Sequence, residues 1–158
     1  MAVNVGLRLL GVTLSLDLSL QPLWLLAAES AAGSLSANAS TQVNQAANGV
    51  EVIQIADPNG AGVSHNLFQD YQVGPQGQVL NNSTTDVRSK LAGTIEGNSH
   101  LQHGPARIIL NEVTGANPSS LLGVTEVAGQ AASLVIANPN GITCSGCGFL
   151  NTPRVTLG

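Results

Sequence analysis

Charge is what this chain has least of. Lys, Arg, Asp and Glu together make up 9% of its 158 residues, against roughly a quarter in an ordinary globular domain. Lys and Glu normally fill exposed helix faces, so their scarcity argues against a helical surface. Aromatic residues are also few, at 3%. A chain so poor in charge must spread its polarity over Asn, Gln, Ser and Thr. Those residues suit turns and stacked strands better than helix interiors. Cations are too sparse for nucleic acid as a partner: Arg88, Lys90, Arg107 and Arg154 form no cluster beyond the Arg88/Lys90 pair, and the net charge is −4. No Gly-rich phosphate loop is present. What remains is 43% apolar residues and 18 glycines, the composition of an all-β chain with many turns.

Residues 7–28 are strongly apolar and end in Leu23-Trp24-Leu25-Leu26-Ala27-Ala28. Arg8 stands at the start, and the small residues Ser30-Ala31-Ala32 that follow suit a signal-peptidase site. Asp17 and Pro22 interrupt the run. A charge at mid-span costs roughly 2.5–3.5 kcal/mol on insertion scales, which argues against a membrane anchor. A buried apolar start to the fold is the other reading. We assign residues 1–32 as a signal-sequence-like segment and residues 33–158 as the domain. Cleavage after Ala32 would leave seven acids and four bases, a net of −3, and the argument about partners is unchanged.

From about residue 48, short β-type runs alternate with Asn/Gly/Pro punctuation. Val50 to Ile55 leads into Asp57-Pro58-Asn59-Gly60, and Gln78-Val79-Leu80 into Asn81-Asn82-Ser83. Leu91 to Glu96 precedes Gly97-Asn98, Ala106 to Leu110 precedes Asn111, and Ala132 to Ala137 precedes Asn138-Pro139-Asn140-Gly141. Asn at 59, 81, 98, 117 and 138 is spaced by 22, 17, 19 and 21 residues. An interval near 20 marks a solenoid, in which each coil adds one rung of strands and turns recur at one angular position. Asn and Gly tolerate the left-handed backbone such turns need. No window after residue 48 keeps a clean 3.6-residue period. An antiparallel sandwich also uses Asn-Gly turns, but the spacing and low charge favour the parallel β-helix. Residues 33–50 are the candidate N-terminal cap strand. The chain ends on an apolar strand, Val155-Thr156-Leu157, with no cap behind it, and so reads as the front end of something longer.

The stretch from Ala137 to Leu157 closely resembles the secretion domain of two-partner-secretion exoproteins, the family of filamentous haemagglutinins, secreted haemolysins and contact-dependent growth-inhibition toxins. Asn138-Pro139-Asn140-Gly141-Ile142 matches the family's second Asn-Pro motif, and Cys144-x-x-Cys147 with Gly148-Phe149 marks the haemolysin-like branch. Gly62-Val63-Ser64-His65-Asn66 with Phe68 and Tyr71-Gln72-Val73 looks like the opening repeat. Asn81-Asn82-Ser83 and Ile109-Leu110-Asn111-Glu112-Val113 follow in the usual places. The likeness spans roughly residues 42 to 157. It departs at the first motif, usually Asn-Pro-Asn-Leu: Asn98-Ser99-His100-Leu101 keeps the first Asn and the Leu and loses the Pro and second Asn.

The resemblance implies a right-handed parallel β-helix with an N-terminal cap and extra-helical hairpins. It implies export by the general secretory machinery, then recognition by periplasmic modules of an outer-membrane β-barrel transporter. The domain would then fold outside a Gram-negative cell, secreted or at its surface, and template the coils behind it. Catalysis and cofactors are not implied. An adhesin module binding host glycan or protein is the alternative function, and a β-helical carbohydrate enzyme a third.

Several residues carry more than one reading. Cys144 and Cys147 could form a disulfide in an exported chain, or remain a reduced pair packed in a turn. With His100 and His103 they offer two ligand pairs for zinc, though neither lies in a finger context. Redox chemistry would need a βαβ setting. Asn138, Asn140 and Gly141 make a tight turn whose side chains either satisfy backbone groups or meet the transporter. Asp57, Asp70, Asp86 and His65 are the residues a glycan enzyme would use, but they are far apart in sequence, and no carboxylate pair stands out.

Overall fold

The computed structural model describes residues 35–37 and 39–158. The signal-like segment assigned to 1–32 lies outside them. Two short strands come first, β1 (Leu35–Ala37) and β2 (Gln42–Gln45). A first coil holds β3 (Glu51–Gln54) and β4 (Val63–Tyr71). A second holds β5 (Gln78–Asn82), an excursion with β6 (Val87–Ser89) and β7 (Gly93–Ile95), then β8 (Ile108–Val113) and β9 (Ser119–Leu121). The third is β10 (Val124–Gly129), β11 (Ser133–Ala137) and β12 (Ile142–Cys144). β13 (Gly148–Leu150) and β14 (Val155–Leu157) belong to a fourth.

Successive coils stack strand on strand. β3, β5, β10 and β13 run parallel in one sheet, and β4, β8, β11 and β14 in a second. β9 and β12 form a third, which the Val73–Leu121 bridge extends to the first coil. This is a parallel β-helix. Antiparallel pairing is confined to its accessories among the described residues: β1 on β4, β2 on β3, and β6 on β7. The first two lie where a cap was expected and cover strand edges that would otherwise be open. The third is an extra-helical hairpin.

The register corrects the sequence argument in one respect. Glu51 aligns with Gln78, Val124 with Gly148, and Leu134 with Val155, offsets of 27, 24 and 21. Across the excursion the offset grows, as between Gln78 and Thr125 (47). The Asn residues spaced near 20 do not share one corner. Asn81 and Asn82 are not in a turn at all, but are buried inside β5. Asn98 lies in the excursion, and Asn117 and Asn138 at the corner between the second and third sheets.

Alternation builds the core. β4 buries Ser64, Asn66 and Phe68, β8 buries Ile109, Asn111 and Val113, and β11 buries Leu134 and Ile136. The register stacks Ser64, Ile109 and Leu134 in one column and Asn66, Asn111 and Ile136 in the next. Ile53, Leu80 and Val127 face them from the first sheet. Each buried apolar side chain is worth about 1.5–3 kcal/mol against exposure. Phe68 and Tyr71 meet edge to face at 4.9 Å between ring centres.

The first sheet is buried on its outer face too. Val52, Val79 and Ala128 lie under Ala92 and Ile95 of the hairpin region. One carboxylate pins that region down: Glu126 accepts hydrogen bonds from Ser89 Oγ at 2.8 Å, Lys90 N at 2.8 Å and Leu91 N at 2.9 Å. The turn entering β5 needs a glycine. Gly77 has φ +80°, and a Cβ there would stand 2.4 Å from the Val124 carbonyl.

Candidate functional site

The two motif turns are the same device. At the second, Asn138 is buried where the chain leaves β11. Its Oδ1 accepts from Asn140 N at 2.9 Å, and Gly141 N donates to the Asn138 carbonyl at 3.0 Å. That closes a tight turn on its own side chain. Its Nδ2 donates to the Asn117 carbonyl at 3.0 Å and to Ser119 Oγ at 2.9 Å, both in the preceding coil. Pro139, Asn140 and Gly141 are exposed, with Gly141 at φ +105°. Asn140 Nδ2 reaches the Gly115 carbonyl at 2.8 Å. Ile142 opens β12 and packs against the core.

At the first motif Asn98 is also buried. Its Oδ1 accepts from His100 N at 3.0 Å, and Leu101 N donates to its carbonyl at 3.3 Å. Its Nδ2 donates to the carbonyls of Ile55 at 2.9 Å and Asn81 at 3.0 Å. So it ties the first coil to the second and brings the excursion home. Leu101 is buried in the core. Ser99 is exposed where the other motif has Pro139, and His100 is half-buried where it has Asn140. Of the two places where the first motif departs, Ser99 is exposed while His100 is half-buried with its Nδ1 turned inside. The residues the motif keeps are those that point in.

Cys144 and Cys147 are joined as a disulfide, with Cα atoms 5.3 Å apart. It links the end of β12 to the approach to β13, and Cys147 packs against the core. The two histidines stand elsewhere. His103 Nδ1 meets Asp57 Oδ2 at 2.5 Å, and His100 Nδ1 is buried without a hydrogen-bond partner. Among the described residues no three His, Cys, Asp or Glu side chains are grouped as a metal site.

The acids raised as catalytic candidates are likewise apart, each holding a turn or pairing across coils. Asp57 accepts from His103 N at 3.0 Å as well as from the ring, and this holds its carboxyl below the usual range. Asp86 accepts from Gly97 N at 3.1 Å, and Asp70 accepts from Asn117 Nδ2 at 2.8 Å. His65 pairs with Glu112 at 2.7 Å on the exposed face of the second sheet.

Sequence reasoning missed a second set of buried amides. Asn82 closes a two-way pair with Ala106, accepting from its N at 2.7 Å and donating to its carbonyl at 2.9 Å; it also donates to the Gln130 carbonyl at 2.9 Å. Asn66 accepts from Thr41 Oγ1 and Ala56 N, both at 2.9 Å, locking the cap to the first coil. No run of apolar residues directly precedes either one, Asn82 following Asn81 and Asn66 following His65, so the sequence carries no local signal for them.

The TPS (two-partner-secretion) secretion domain model matches residues 28–158. The chain belongs to that family. Over 157 residues it is 50% identical to the 16S rRNA endonuclease CdiA of Enterobacter cloacae, covering 98% of this chain and 5% of that protein. It is 57% identical over 117 residues to a tRNA nuclease CdiA of Escherichia coli, covering 73% and 4%. A hemolysin of Proteus mirabilis is 53% identical over 109 residues, covering 69% and 7%. The crystal structure of the filamentous hemagglutinin secretion domain superimposes with a TM-score of 0.75 at 47% identity, covering 78% of this chain and 41% of that one. The chain thus spans about 5% of the length of the curated relatives it matches.

Proposed function

We propose that this secretion domain is recognised by periplasmic modules of a dedicated outer-membrane β-barrel transporter, and that it templates β-helix folding outside the cell. The route begins with residues 1–32 acting as a signal for the general secretory machinery and continues through the periplasm of a Gram-negative bacterium. The domain, residues 33–158, performs no catalysis itself; the nuclease names of its relatives belong to proteins some twenty times its length.

The observation that carries the reading is family membership over residues 28–158, and the coil geometry supports it. Each coil contacts its neighbours through in-register strands, so coils can be added one after another. Phe149, Leu150 and Val155 are half-buried, and Leu157 is 39% exposed. That apolar rung is one on which a further coil can stack. Burial of each new coil outside then disfavours return.

The test is secretion of a long exoprotein carrying this domain, by its cognate transporter. Asn140→Ala and Pro139→Ala alter exposed motif atoms. Asn138→Ala removes a buried brace. Transporter recognition at this turn predicts lost secretion for the exposed changes with the folded domain's stability nearly unchanged. If both exposed variants are secreted at the normal rate, the turn is not read directly. If export stays normal when the transporter's periplasmic part is deleted, the recognition scheme is wrong altogether.

A further inference from the structure

We propose that Glu51 is carried as a neutral carboxylic acid inside the first coil, making the cap-to-coil junction firmest at acidic pH and weaker once this side chain ionises. Glu51 is 7% exposed. It lies in β3 between Gln45 of β2 on one side and Gln78 of β5 on the other. Alternation puts it on the same face as Ile53, which is core. The same face continues through Gln78 and Thr125. Glu51 therefore begins a polar column at the capped end of the solenoid.

The surroundings favour the neutral acid. Among the described residues no cation pairs with Glu51 and none donates a hydrogen bond to it. An ionised carboxylate so placed is costly, because burial disfavours the charged form. Its register neighbour Gln78 is fully buried. Gln78 Nε2 donates to the Tyr71 hydroxyl and to Thr125 Oγ1 at 3.1 Å, which leaves Gln78 Oε1 buried without a donor. Asn111 Nδ2 also donates to the Tyr71 hydroxyl at 3.1 Å, and its Oδ1 is orphaned in the same way. The strand next to Glu51 thus already carries a buried acceptor without a donor, at Gln78 Oε1, and offers an ionised carboxylate nothing to offset its charge.

No other ionisable acid or base shares this column. β1, β2 and β5 bring no titratable side chain to this site. β4 brings Tyr71, whose burial pushes it up to about 12, so it stays neutral. His65 and Asp70 of the same strand are engaged with Glu112 and Asn117, away from the column. Glu126 of β10 is bound to the hairpin on the opposite face. Burial alone raises Glu51 from 4.5 to about 7. A raised acid binds more protons folded than unfolded, so stability is greatest below the unfolded value and falls as pH rises toward and through 7.

The experiment is urea unfolding of the full chain across pH, beside a carboxyl-carbon NMR titration. From about pH 5.5 to 8.5 the folding equilibrium constant should fall roughly thirtyfold through this group, and the Glu51 signal should titrate near 7. Glu51→Gln should remove this share of the fall and exceed the wild type at the alkaline end. A Glu51 midpoint near the ordinary carboxylate value overturns the proposal, as does a wild type with no such decline or a Glu51→Gln chain whose decline equals the wild type's. If the variant fails to fold, the wild-type NMR titration decides alone.

Discussion

Asn98→Ala should unfold this domain far more readily than an exposed substitution in the same turn. The side chain makes three hydrogen bonds: two from Nδ2, to the Ile55 and Asn81 carbonyls, and one received by Oδ1 from His100 N. Each contributes about 1 kcal/mol net, and more where its loss strands a buried partner. Water cannot reach these partners freely, because Asn98 is 3% exposed and the methyl of Ala leaves a polar gap. The expected loss is about 3 kcal/mol, a large fraction of the roughly 5–15 kcal/mol that holds a typical domain. Urea unfolding measures it, read as a fall in midpoint at unchanged slope. Gln102→Ala is the control: its one side-chain bond, to the Ser99 carbonyl at 2.7 Å, is exposed, and it should cost less than about 0.5 kcal/mol. If Asn98→Ala costs no more than Gln102→Ala, the brace is ornamental and the account of the first motif fails.

Ser99→Pro should stabilise the fold by about 0.4–1 kcal/mol. Pro139 holds the matching place in an equivalent turn, and the gain comes from a stiffer unfolded chain; a drop in the urea midpoint would show that the two turns differ in backbone. Glu126→Ala removes the acceptor for three donors on the β6–β7 excursion. It should cost about 3 kcal/mol and raise amide exchange in residues 87–95 ahead of the coils. Uniform exchange across coils and hairpin would mean that apolar contact, not this carboxylate, holds the hairpin.

The class of fold was readable because low charge and frequent Asn/Gly turns exclude helix before any motif is considered. The run Ala132–Ala137 became β11, and Ala106–Leu110 overlaps β8. β9 and β10 were not separated by pattern: Ser119 to Gly129 mixes small, polar and apolar residues because β10 is buried on both faces, inward by the core and outward by the hairpin. A strand covered on both sides has no period-two signature. The spacing argument reached the right architecture on partly coincidental intervals, since Asn98 belongs to an excursion and Asn81 to a strand. Motif residues were legible as a turn, but not the division of labour within it. Which Asn points inward depends on carbonyls 17 to 43 positions away in sequence.

That division explains how a chain with so little charge holds its coils in register. Where a strand leaves one sheet for the next, carbonyls lose their ladder partners, and a buried carbonyl without a donor is costly. A cation could serve, but only by burying a charge. An Asn amide carries two donors and an acceptor and no charge, so one side chain can bridge two coils and close its own turn. Asn98 and Asn138 do this, and Asn82 bridges coils in the same way without the turn. Such positions are constrained by the coil stack, whatever a partner reads. The positions beside them are less constrained, and there the two motifs differ: exposed Ser99 and half-buried His100 at one, exposed Pro139 and Asn140 at the other. A transporter that reads folded turns would meet two different surfaces, whereas one that reads the unfolded chain would meet Asn98 and Asn138 as well. Export of the Asn138→Ala variant with the buried brace gone, compared with Asn140→Ala, therefore reports which form of the chain is recognised.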